Sequence, residues 1–287
     1  MLKKYLPHIQ ILLAGSLWGL IGLFNRHLTA GGLSASSIVA VRNIGGLVVL
    51  GLVLLILDRS VFLIKVRHLP YFFGTGVVSI LLFTLCYFTA QQMCSLAVAA
   101  ILLYTAPAFV VVLSTVLFRD KLTKGKLAAL ILAFLGCTFV SGIWSGNLTM
   151  TGLGLLLGVA SGFFYGLYSI FGRYALAHYQ PLTVTFYTFV FAGAGSLFLL
   201  KPTELSASLS QPPMALISLG LVVISTVFPY ILYTRGLAKV DSGKASILAS
   251  VEPVVAALVG VLAFGEPMSV MVVLGLGCIL ISVYILR

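Results

Sequence analysis

The stretch LASVEPVVAALVGVLAFGE (248–266) sets a carboxylate, Glu252, directly before Pro253 inside an otherwise apolar run. An ionised side chain is costly inside an apolar membrane segment, and proline removes a backbone donor. Shifted back by 146 residues, the stretch falls on a second apolar run with its own proline, Pro107. In the same register Tyr87 meets Tyr233, Ser79 meets Ser225, Gly74 meets Gly220, Phe118 meets Phe264 and Asp120 meets Glu266. At a shift of 147, WGLIGLFNR (18–26) lies over YGLYSIFGR (165–173) and matches Gly19, Leu20, Phe24 and Arg26. The matches keep one order along both halves, so the chain reads as two copies, 1–147 and 148–287.

Each copy is too apolar for water. The 287 residues are 61% hydrophobic and 8% charged, with a mean hydropathy of +1.18, where a soluble domain carries about 25% charged residues. The apolar runs approach the ~20 residues that cross a ~30 Å hydrocarbon core. The sequence predicts an all-α integral membrane protein with ten transmembrane helices near 8–25, 35–57, 70–91, 95–118, 125–143, 151–172, 182–200, 214–235, 244–264 and 268–286. Lys3 and Lys4 precede an apolar segment too long for a signal peptide, so it reads as a retained first helix. With the N-terminus inside, fourteen Lys and Arg face the cytoplasm and two, Arg26 and Lys201, face outward. That bias puts both termini in the cytoplasm, in a multi-pass protein of the cytoplasmic membrane. It also accounts for the net charge of +11 without nucleic acid. Five helices per copy is an odd number, so the second copy inserts upside down, a plan with a mid-membrane site and paired helix breaks. Pro107 and Pro253 are such a pair; Pro229 reads as an unpaired third break.

Away from helix ends, two ionisable groups lie within the spans. Arg42, beside Asn43, offers a planar fork of donors for a carboxylate or phosphate, or else snorkels outward or ties neighbouring helices together. Glu252 is a proton-coupling candidate, a partner for a substrate ammonium, or a structural acceptor at the break. Ser79, Phe83, Tyr87 and Gln91 share one helical face, mirrored by Ser225, Pro229 and Tyr233. Trp18, Tyr104, Tyr165, Tyr168, Tyr187 and Tyr230 add rings with a polar handle, suited to a cavity or to an interfacial belt. Gly15 and Gly19, then Gly158, Gly162 and Gly166, recur at the spacing of close helix packing. The four cysteines show no ligand spacing, and the four histidines lie near helix ends without forming a metal cluster.

The element Tyr87–Asp120 and its echo Tyr233–Glu266, together with Trp18-Gly19 and Arg42, resemble the EamA family of the drug/metabolite transporter superfamily over essentially the whole chain. The resemblance implies two inverted five-helix repeats around a central cavity lined by helices 1 to 4 and 6 to 9, with helices 5 and 10 peripheral. Arg42 has Thr188 as its counterpart, so the site is not charge-symmetric.

The expected function is secondary active export of small metabolites by alternating access. No phosphate-binding loop for ATP is present, and no cofactor is called for. One cation and one anion suit an amino acid or related zwitterion, Arg42 taking the carboxylate and Glu252 the ammonium. The expected substrate-binding set is Trp18, Arg42, Asn43, Tyr87, Gln91, Tyr104, Tyr168, Tyr233 and Glu252, with protons as a coupling-ion candidate. The oligomeric state stays open between monomer and homodimer. An exporter of organic cations is the alternative if Glu252 faces the cavity and Arg42 does not. An intramembrane enzyme ranks lower, because no nucleophile and base, carboxylate pair or ligand set shares one depth, and a regulatory membrane partner would need docking tails or loops.

Overall fold

A computed structural model describes residues 2–143 and 149–286, with side chains from residue 5 onward. The expected boundary at 147/148, the Lys3 and Lys4 side chains and Arg287 lie outside what is described. Eight helices are long and apolar enough to cross a membrane. They are α1 (Tyr5–Ala30), α2 (Ala35–Leu57), α3 (Val66–Met93), α4 (Leu96–Phe118), α6 (Gly152–Leu176), α7 (Pro181–Leu199), α8 (Pro212–Leu237) and α9 (Ser242–Phe264). Two shorter helices are α5 (Lys124–Val140) and α10 (Val270–Ile285). Among the described residues the pairing outside helices is one isolated bridge, Cys94 to Met150.

Three kinds of irregularity position the interior. First, α4 breaks at Tyr104–Thr105 and α9 at Ser250–Val251. Each second half, Ala106–Phe118 and Glu252–Phe264, carries its proline in the first turn, where a missing N–H leaves no bond unmade. Second, α3 and α8 widen into π-helix at Gly74–Leu81 and Val223–Val227. The α8 widening ends just before Pro229, so the chain absorbs that proline without stopping. The expected unpaired break is thus a widened turn, and α3 widens at the matching place with no proline at all. Third, α1 near Leu20 passes through a turn.

Small residues let helices meet these irregular backbones. A methyl group added at Gly15 would sit 2.7 Å from the Ala249 carbonyl oxygen, and one at Gly19 2.7 Å from that of Glu252. In the other copy the same additions at Gly162 and Gly166 would lie 2.7 Å from the Leu102 oxygen and 3.2 Å from that of Ala106. So α1 packs on the break of α9, and α6 on the break of α4. Away from the centre, α5 and α10 pair through Gly136 and Gly275, each of which leaves room for the other's carbonyl.

At each end of the bundle a carboxylate of one copy reaches the start of a helix of the other. Glu204, in the short helix Pro202–Leu209, accepts from Ser34 N (3.0 Å), Ser34 Oγ (2.6 Å) and Ser37 Oγ (2.8 Å) at the start of α2, and from Lys201 Nζ (2.9 Å). Asp58, 146 residues earlier, accepts from the Gln180 amide (3.2 Å) at the start of α7. The Ser34 hydroxyl, then Lys201 and the Ser34 and Ser37 donors, hold the Glu204 carboxyl down to about 2 from its usual 4.5.

Three stability measurements follow. Gly19→Val forces a side chain onto backbone and should cost about 1–3 kcal/mol in detergent-solubilised thermal unfolding. Gly277→Ala, where nothing lies within 4 Å, should be neutral or gain up to about 1 kcal/mol as a helix former. A carboxyl depressed by its folded partners stabilises above its unfolded pKa and loses that contribution as pH falls through the folded one. The wild type should therefore melt above Glu204→Gln at pH 7, and the difference should shrink between pH 4.5 and about 2.

Candidate functional site

The break in α9 sets Glu252 in the first turn of a new half-helix, where the positive end of the peptide dipoles favours a carboxylate. The phenol of Tyr165, from α6, donates to Glu252 Oε2 at 3.3 Å. Arg42 sits about two turns into α2, and its Nε donates to Thr226 Oγ1 at 3.3 Å. Thr226 belongs to the widened stretch of α8 and accepts there while its own hydroxyl bonds the Leu221 carbonyl at 3.0 Å. Among the described residues, neither Arg42 nor Glu252 takes part in a salt bridge.

Both groups line one cavity of about 330 Å³, together with Trp18, Tyr87, Gln91 and Tyr104. The lining continues through Asn25 to Gly22, Thr29 and Ala35, which are exposed where α1 ends and α2 begins. That end is the mouth. Toward the other end the hollow is stopped by rings. Trp18 meets Tyr230 edge-on at 5.2 Å and lies 5.3 Å from Tyr233, and Tyr168 meets Tyr230 at 5.2 Å. Farther toward that end Lys126, 6% exposed, pairs with Asp241 at 2.8 Å and ties α5 to the start of α9.

Six of the nine residues expected to bind substrate thus share one hollow, and three do not. Asn43 is buried on another face of α2 and donates to Ser196 Oγ at 2.8 Å, tying α2 to α7. Tyr168 and Tyr233 hydrogen-bond to Thr234 and Ser169, each at 2.7 Å. They surround a separate void of about 20 Å³ beneath Trp18, room for about one water. The α3 face runs the depth of the site, with Ser79 on the void, Phe83 on both hollows, and Tyr87 and Gln91 on the cavity. Sequence reasoning left out Thr226 and Asn25, whose Oδ1 has no hydrogen-bond partner among the described residues. It named Tyr165 only as one aromatic of several, although Tyr165 is the counterpart of Trp18 in the second copy.

The arrangement offers a fixed guanidinium and a fixed carboxylate in a hollow walled by aromatic rings and open at one end. The model of the EamA-like transporter family matches residues 6–142 and again 152–287. An uncharacterized transporter of Archaeoglobus fulgidus is 28% identical over 222 residues, 77% of this chain and 79% of that protein. The threonine/homoserine exporter RhtA of Escherichia coli is 28% identical over 198 residues, 68% of this chain and 63% of that one. A crystal structure of a protein superimposes with a TM-score of 0.80 at 18% identity, covering 97% of this chain and 95% of the other; at that identity the likeness concerns the fold alone.

Proposed function

This chain belongs to the EamA-like transporter family, and from that premise we propose that it is a secondary active exporter of small amino acids or related zwitterions. The observation that carries this reading is that Arg42 and Glu252 line one cavity without forming a salt bridge to each other. A cation and an anion held in one hollow and left unpaired suit a ligand that brings both opposite charges. An organic-cation exporter would need a cavity without the guanidinium, so the shared lining disfavours that alternative. The name of the RhtA relative supports amino acids as the class.

The transporter reading includes a ten-helix frame made of two inverted five-helix repeats, divided near residue 147. Support comes from the two separate family matches and from the matched breaks, widenings and caps of the two halves. Both termini lie in the cytoplasm, on the strength of the Lys and Arg bias. Glu252 is the group that exchanges a proton for substrate.

Reconstituted protein should exchange radiolabelled threonine across liposomes. Arg42→Gln should raise KM roughly 10–100-fold, the range expected for losing one charge-assisted contact. Glu252→Gln should abolish the dependence of flux on a pH gradient. Threonine flux unaffected by both substitutions, or methyltriphenylphosphonium carried in its place, would overturn this assignment.

A further inference from the structure

The two ends of the bundle carry one side-chain arrangement twice. At the mouth, Arg26 at the end of α1 pairs with Glu266 just past α9, and its guanidinium lies 4.3 Å from the centre of the Phe264 ring. At the base, Arg173 at the end of α6 pairs with Asp120 just past α4 at 2.5 Å, and lies 4.2 Å from the Phe118 ring. The caps agree as well. Residues 119 and 265 both turn left-handed, at φ 57° and 66°. The next backbone N–H returns to a carbonyl six residues back, Asp120 to Ser114 at 3.3 Å and Glu266 to Gly260 at 3.1 Å. In one copy that left-handed position is a glycine; in the other it is Arg119, which adopts it at a steric cost.

Gates that alternate would differ between an open end and a closed one. Here the cavity is open at the mouth and stopped at its other end by the Trp18, Tyr230 and Tyr233 rings, yet both clamps are closed with the same geometry. The clamped helices are also the ones that touch at the breaks. Gly19 meets Glu252 about 10 Å along α1 from Arg26, and Gly166 meets Ala106 at the same remove from Arg173. Two attachments on one helix resist its turning or sliding relative to the other.

We infer that Arg26, Glu266, Arg173 and Asp120 are positioning residues that bolt α1 to the second half of α9, and α6 to the second half of α4. Each bolted pair moves as one lever about its break, Ser250–Val251 or Tyr104–Thr105, and the clamps stay closed through the whole cycle. They set the rate of turnover and leave substrate affinity alone. This rests on the alternating-access reading above.

The test uses the full chain on a background freed of its four cysteines. In Arg26→Cys/Glu266→Cys, losing the clamp should lower threonine turnover at least tenfold with KM unchanged. Joining the two thiols with a short bifunctional methanethiosulfonate should restore it, as should the charge swap R26E/E266R. A joined protein that stays inactive until reduced would make the contact a gate and overturn the inference; so would wild-type turnover without the clamp. A second readout needs no substrate. Ser246, 8% exposed, lines the void behind the Trp18 and Tyr230 rings, and the reaction of Ser246→Cys with a small methanethiosulfonate reports opening of that end. Joining Asp120→Cys to Arg173→Cys with the same short bifunctional methanethiosulfonate should leave that reaction rate unchanged, whereas its loss would overturn the levers. A wild type without threonine flux would refute the proposed substrate class, and the second readout would still decide the inference.

Discussion

The structure depends on how closely α1 can lie against the broken backbone of α9, and α6 against that of α4. A helix break frees carbonyl groups, and inside a bilayer no water is at hand to bond them. Such backbone is tolerated only where protein buries it or a wet cavity receives it. Gly19 and Gly166 supply the burial on one side: a side chain at Gly19 would strike the opposing carbonyl, and one at Gly166 would crowd it. The cavity supplies the other side, and Glu252 faces it from the first turn after the break. The costly carboxylate and the costly break therefore fall in one place, with Glu252 in the first turn after the break and on the wall of the cavity.

The scaffold is duplicated, and the two charges that line the cavity are not. Breaks, widened turns, caps and clamps recur between the copies, whereas Glu252 has Ala106 as its counterpart and Arg42 has Thr188. Thr188 is buried and bonds to Thr75 at 2.8 Å, a neutral contact between α7 and α3. At each position one copy carries a neutral residue and the other a residue that lines the cavity. A single hollow with a guanidinium on one wall and a carboxylate on another is the outcome.

Much of this was legible in the sequence, and the remainder has physical reasons for being hidden. Helices announce themselves through apolar length, and the breaks through Pro107 and Pro253, since proline acts on its own backbone wherever it lies. Glu252 and Arg42 stand out because a bilayer penalises them. Spacing also placed Tyr87 and Gln91 on one face, but it could not say how far the wall opposite stands away. Tyr233 lies on the matching face of α8, yet Trp18 closes over it and leaves only a small void. Asn43 follows Arg42 by one position, which turns it about 100° around the helix and away from the cavity. The widening of α3 has no proline to announce it. The Arg–carboxylate clamps were visible as repeated letters, but the fact that each joins residues far apart in the chain is a property of the folded pairs.

The claim beneath all of this is that the second copy is inserted upside down relative to the first, so that each first helix is bolted to the broken helix of the other copy. Side-specific labelling of single cysteines with a membrane-impermeant maleimide tests it most directly, in right-side-out and inside-out vesicles. Positions 29, 267, 121 and 178 are exposed beyond the clamps. The account predicts that cysteines at 29 and 267 react from one face of the membrane, and those at 121 and 178 from the opposite face. Reaction of 29 and 178, the ends of the two first helices, from the same face would contradict it.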